Sequence, residues 1–314
     1  CGSGQLQDYW GGGGAWSYPY TMLRWGLLAR MRGARFVVLS VGAGPVDARL
    51  SRRFFRWALS LAQYRSYRDE WSRRFVAETI GFDRGDPVFP DLAFGLELEH
   101  QGAEPLPDTV SGRDRVVGIG PMGYFRPGSW PEVDTVRWHA YRDAMVEFIS
   151  WLIARGDAIL VLKGEAYHDQ PVVDEIVAEL VARGVPVENH LVDTPVTTVD
   201  ELIRALSRCD LVVASRFHNV LLAYRLGIPV LGISYQSKTD SLMGEYGQSA
   251  FCLPINGLSP TTLESTASEL EGQEGFGERA EAINNAKQAA VAAQFDRIMP
   301  LLRPNRRGGS TPSS

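Results

Sequence analysis

Three ionisable side chains stand close to one another in one stretch of the chain: Arg216, His218 and Lys238. Arginine can hold a phosphate or carboxylate in a bidentate fork. Histidine can move a proton near neutral pH. The two suit a step in which an anionic substrate is held while a proton changes place. The plainer reading is a polar helical turn in solvent. Lys238 tips the balance towards chemistry, because it brings a third such group to the same rim.

The surrounding residues predict how these groups are positioned. Leu211–Ala214 is a short apolar run suited to a buried strand. Ser215 offers a helix-capping side chain. Residues 219–226 continue in helical spacing until Gly227. Ile228 and Pro229 open a second buried run over 230–233. This β-α-β unit leaves Arg216 and His218 where a strand ends and a helix begins. Open α/β sheets bind ligands there, and free helix N–H groups attract anions. Ser237, Lys238 and Asp240 fall at the end of the next strand, on the same rim.

The first hundred residues carry further candidates. Gly2-Ser3-Gly4-Gln5-Leu6-Gln7-Asp8 reads as a glycine loop, followed by Tyr9, Trp10 and glycines 11–14. Gly4 would let backbone N–H groups approach a phosphate. No Gly-Lys-Ser/Thr follows, so the loop is not a nucleotide P-loop. Asp8 suits two roles equally: proton acceptor, or turn and helix cap. Gly42-Ala43-Gly44-Pro45 ends a second apolar strand, 36–41, and puts Gly44 on a rim as well. Arg68 and Asp69 read best as a structural ion pair. Arg49, Arg52, Arg53 and Arg56 read as a solvated helix face. Trp16, Tyr18, Tyr20 and Trp25 could stack on a sugar, but at this density they read as core.

Ser215-Arg216-Phe217-His218, then Gly227-Ile228-Pro229-Val230, then Tyr235 and Lys238 resemble the polysaccharide pyruvyl transferases. The Gly2–Asp8 segment resembles that family's G-G-G-x-L-x-Q-D loop, with Ser3 at the middle glycine. Ser66, Arg68, Asp69 and Ser72 resemble its S-x-R-D-x-x-S segment, and residues 88–94 its V-x-P-D-x-A-F strand. The resemblance implies a two-domain, GT-B-like enzyme. It would move the pyruvyl part of phosphoenolpyruvate onto sugar hydroxyls as a ketal, in cell-envelope or exopolysaccharide biosynthesis. Arg216 would hold the donor's phosphate or carboxylate, and His218 would be acid or base. Asp8 would activate an acceptor hydroxyl from across an interdomain cleft. Lys238 and Arg126 would be secondary anion contacts, and Arg68, Gly4 and Gly44 would line the substrates. Many members place an arginine directly after the first strand of the second domain. Here Gly120, Pro121 and Met122 stand at those positions, and Arg126 comes slightly later. No metal or cofactor is implied beyond phosphoenolpyruvate as donor. The acceptor would be a glycan or a lipid-linked oligosaccharide. Peripheral membrane association and a homo-oligomer are both compatible with this reading. The competing readings are a GT-B glycosyltransferase using a nucleotide sugar and a non-catalytic glycan-binding subunit.

With 314 residues the chain has room for two α/β domains. Alternating strand and helix patterns predict two doubly wound, mainly parallel, Rossmann-like domains. The first spans 1–96, lacks its N-terminal part, and forms the acceptor side. A polar linker follows over 97–113, then a donor domain over 114–303 and a disordered basic, Gly/Ser-rich tail over 304–314. The last long helix, 279–302, would pack back towards the first domain. A net charge of −5 argues against a general nucleic-acid binder. Cys1, Cys209 and Cys252 form neither a metal spacing nor a disulfide framework, which fits a reducing cytoplasm. The Cys-Gly-Ser-Gly start also fits a mature lipoprotein, but an incomplete chain is the favoured reading.

Overall fold

Apolar runs of strand length alternate with helical stretches, and every strand pairing among the described residues is parallel. The structure is a computed structural model. It describes residues 2–8, 16–98, 110, 112–113, 115–130, 132–164, 166–193 and 196–302, with backbone alone for 2–5 and 166. The glycines at 11–14, most of the predicted linker and the predicted tail lie outside the described residues. The chain divides into two units, Cys1–Leu96 with Asn285–Ser314, and Glu97–Asn284.

In the first unit, β1 (Gly2–Leu6), β2 (Val37–Ala43) and β3 (Tyr64–Tyr67) form a sheet in that order. The helices are α1 (Ser17–Met31), α2 (Arg49–Leu61) and α3 (Glu70–Phe75). Leu6, Val38, Val41, Phe55, Leu59 and Tyr67 lie at the centre of its core. Two expectations change here. Gly2 to Leu6, read as a loop because glycine is a poor strand former, is itself a strand, held by backbone pairing to β2. Gly4 therefore lies within a strand. Trp16, Tyr18, Tyr20 and Trp25, read as core, are exposed. Residue type sets density, but only packing sets which side faces the sheet.

A bulge interrupts β2, with Val38 opposite Arg65 and Val41 opposite Tyr67. Ser40 sits in it with a φ of 43°. Its N–H donates to Ser66 Oγ at 2.8 Å, and its hydroxyl bonds the amide of Gln294. Ser66 Oγ donates to the same amide oxygen. Gln294 is fully buried and belongs to α10 (Phe276–Leu302). Removing that amide strands two buried hydroxyls. Gln294→Ala should therefore lower the free energy of unfolding by about 1–3 kcal/mol, read by urea denaturation. An unchanged midpoint would show that the network adds nothing net.

The second unit has six parallel strands: β4 (Val116–Gly120), β5 (Ala158–Val161), β6 (Leu191–Val192), β7 (Leu211–Ala214), β8 (Val230–Ser234) and β9 (Cys252–Pro254). Its helices are α4 (Thr135–Ala154), α5 (Ala166–Ala182), α6 (Val199–Leu206), α7 (Phe217–Arg225), α8 (Ser237–Glu245), α9 (Pro260–Glu271) and the start of α10. The strand order is β6-β5-β4-β7-β8-β9. The chain runs outward from β4 to β6, then returns to β7 and runs to the other edge. That reversal opens a crevice at the C-terminal ends of β4 and β7. β4, β5, β7 and β8 are buried at every residue, as strands covered on both faces must be.

Candidate functional site

Arg216 and His218 fall at this crevice. β7 ends at Ala214, Ser215 N–H donates to Gly120 O at 3.1 Å, and Arg216 is the residue before α7. Ser215 is not the expected helix cap. Its hydroxyl bonds Tyr141 Oη at 3.2 Å, and that oxygen accepts the Met122 N–H at 3.2 Å. The turns after β4 and β7 are thus tied together through one buried phenol. Burial, countered by the Ser215 bond, pushes Tyr141 up to about 12, so it stays neutral.

Arg216 is gripped from beneath. Its Nε donates to Asp169 Oδ1 at 3.2 Å, and its Nη2 bonds the same oxygen. Asp169 lies in the first turn of α5 and is fully buried. Gly164 lets the two elements approach: a Cβ there would stand 3.1 Å from Arg216 Cγ. Asp169 is the functional candidate that motif reading missed. It carries one signal, since it shares a helical stripe with the buried Val172, Val173, Ile176 and Leu180. An acid on an apolar stripe needs a buried partner.

His218 is exposed, and its ring meets Phe217 edge-on at 5.5 Å. Lys238 lies in the first turn of α8, past the strand end where it was expected. Its Nζ is 5.7 Å from the Phe217 ring and 5.8 Å from the Tyr235 ring. One phenylalanine therefore carries the histidine on one contact and the ammonium on another. Beside them, Ser234–Ser237, Asp240, Cys252 and Pro254–Asn256 line an open pocket of about 260 Å³. Burial, with Asp240 beside it, pushes the Cys252 thiol up to about 12. It is a neutral donor to Asp240 there, at 3.3 Å, and not a nucleophile.

The loop after β4 closes over this rim. Tyr124 Oη donates to Asn256 Oδ1 at 2.8 Å, and Trp130 packs edge-on against Tyr235 at 5.6 Å. Arg126, expected as an anion contact, holds this loop. Its Nε and Nη2 donate to Glu175 Oε1 at 2.9 and 2.7 Å, and its Nη1 donates to Pro127 O and Ser129 Oγ. Lys163, just past β5, donates to Gln170 Oε1 and Asp193 Oδ1.

The first-unit candidates gather at the C-terminal ends of β1, β2 and β3. Asp8 is buried and its two oxygens accept the N–H groups of Asp47 and Ala48, at 3.1 and 3.0 Å. Asp47 and Ala48 precede α2, so Asp8 braces the turn that leads into that helix. Gly44 packs on Gln7, where a Cβ would lie 2.8 Å from the amide oxygen. Arg68 is buried, donates to Asp69 Oδ2 at 3.1 Å, and lies 3.8 Å from Asp91. Asp69 in turn caps α3 through Ser72 N. Arg68 lies over Gly42, where any side chain would collide with its guanidinium.

The family model for polysaccharide pyruvyl transferases matches residues 1–237. The chain belongs to the polysaccharide pyruvyl transferase family. The match takes in Asp8, Arg216 and His218 and ends one residue before Lys238. No curated protein matches the sequence. A solved protein described as a UDP-N-acetylglucosamine 2-epimerase from Listeria monocytogenes shares the fold. It has a TM-score of 0.64 and 14% identity, over 88% of this chain and 70% of its own. An alpha,alpha-trehalose-phosphate synthase (UDP-forming) from Burkholderia vietnamiensis has a TM-score of 0.56 and 12% identity, over 90% and 72%. This pyruvyl transferase family member is therefore an α/β protein of parallel sheets whose solved neighbours are GT-B-like. Among the described residues no helix is long and apolar enough to cross a membrane.

Proposed function

We propose that this protein transfers the pyruvyl group of phosphoenolpyruvate to hydroxyls of a glycan or glycan precursor, in cell-envelope or exopolysaccharide biosynthesis. The observation that carries the reading is the placement of Arg216 directly before α7 at the sheet's reversal point, with His218 and Lys238 both against the neighbouring Phe217 ring. Arg216, oriented by Asp169, and Lys238 hold the donor's phosphate and carboxylate. Protonated His218 gives its proton to the donor's methylene carbon, which becomes a methyl group. The cation left at the neighbouring carbon is attacked by a sugar hydroxyl, whose proton restores the His218 imidazolium. Phosphate then leaves with the C–O electron pair, and a second hydroxyl adds to close the ketal, its proton passing to the departing phosphate. The sum is phosphoenolpyruvate plus a diol giving ketal plus phosphate. The α7 N-terminus and Arg216 stabilise the charge on the departing phosphate.

Calorimetry tests the donor site. Wild-type protein should bind phosphoenolpyruvate saturably, and Lys238→Met should weaken binding by on the order of 10–100-fold, the worth of one hydrogen bond to a charged group. Binding of UDP or GDP with none of phosphoenolpyruvate would replace this reading with a nucleotide-sugar glycosyltransferase.

A further inference from the structure

The outward face of α1 and α2 in the first unit has a composition that the chemistry above does not use. Trp16, Tyr20, Arg24, Leu27 and Met31 recur at helical spacing and share one face. All are exposed, Met31 at 72% and Trp16 at 47%. Leu50, Phe54 and Trp57 form the matching stripe on α2, with Trp57 at 53%. The stripes are one surface. Rings touch from Trp16 to Tyr20 at 6.1 Å, from Tyr20 to Phe54 at 5.5 Å, and from Phe54 to Trp57 at 6.2 Å. The same two helices and their connection, residues 16–57, hold eight arginines against one acid, Asp47, in a chain of net charge −5. Arg24, Arg49, Arg53 and Arg56 are exposed around the apolar stripes.

A contiguous apolar patch on a soluble surface marks a docking site. Its charge selects the occupant. Two copies of this face would set arginines against arginines, which disfavours a second copy of the chain. An anionic lipid surface meets both features: headgroups take the arginines, and the acyl boundary takes Trp, Leu and Met. We propose that the α1–α2 face seats this protein on an anionic phospholipid surface. The proposal stands apart from pyruvyl transfer and holds even if phosphoenolpyruvate is not the donor.

Co-sedimentation of the full chain with vesicles tests it. Phosphatidylcholine vesicles containing phosphatidylglycerol should bind the protein saturably, less so in high salt, and pure phosphatidylcholine should bind it weakly. Arg53→Glu with Arg56→Glu should cut the partition coefficient by on the order of 20-fold or more. Trp16→Ala with Trp57→Ala should cut it as well, with far-UV circular dichroism unchanged. No binding to anionic vesicles, or equal binding by these variants, would overturn the proposal. So would a concentration-dependent dimer that the same substitutions abolish, because the face would then belong to a second copy.

Discussion

His218→Gln should lower the rate of pyruvyl transfer by on the order of 10²–10⁴-fold, the usual worth of a positioned acid–base group. The thermal midpoint should move by only about 2 °C or less, because exposed side chains contribute little to stability. The contrast follows from placement. The imidazole is exposed and rests edge-on against Phe217, so the core does not depend on it. It stands on the first turn of a helix at the mouth of the crevice, with Lys238 Nζ on the same ring. Glutamine keeps a polar side chain of similar reach but cannot give up a proton. Steady-state assay of phosphate release from phosphoenolpyruvate reads the effect. A variant within tenfold of wild type would remove His218 from the proton-transfer role.

Arg216→Ala should cost about 3–5 kcal/mol of stability as well as donor binding, because it leaves a buried carboxylate without its guanidinium partner. Asp169 is fully buried, and the Arg216 side chain is 23% exposed. The pair is thus anchored inside and reaches outward. Structure and function separate in a double variant. Arg216→Met with Asp169→Leu removes both charges and should recover most of the lost stability, while phosphoenolpyruvate binding stays absent. Urea denaturation and calorimetry on the single and double variants read the two effects. Recovery of binding along with stability would mean that Arg216 serves only to neutralise Asp169.

The β7–α7–β8 unit was legible because its signals agree. Two apolar runs, a helix between them, Gly227 after the helix and Pro229 before the second strand all specify one local fold, and that fold alone puts Arg216 and His218 at a strand end. What was hidden depends on long-range packing. Asp169 stands far from Arg216 in sequence, and no spacing rule joins them. Arg126 resembled a second anion contact, but Glu175, one helix away, takes it. β1 was invisible because glycine weakens the strand signal and only pairing with β2 supplies it. For Asp8, no spacing rule pointed to Asp47 and Ala48, whose N–H groups donate to it.

The buried amide of Gln294 sets an order of events during synthesis. Ser40 and Ser66 leave the ribosome early, but the side chain that completes their bonding lies 254 and 228 residues further on. The residues of the second unit, Glu97–Asn284, are all synthesised before Asn285 and its successors join the first. The N-terminal unit is thus the last to be completed. A ribosome stalled short of residue 294 would hold a chain whose second sheet has all six strands, while the bulge in β2 still waits for its partner. Loops that close over such distances form slowly, and a chaperone would meet this protein with its oldest segment unfinished.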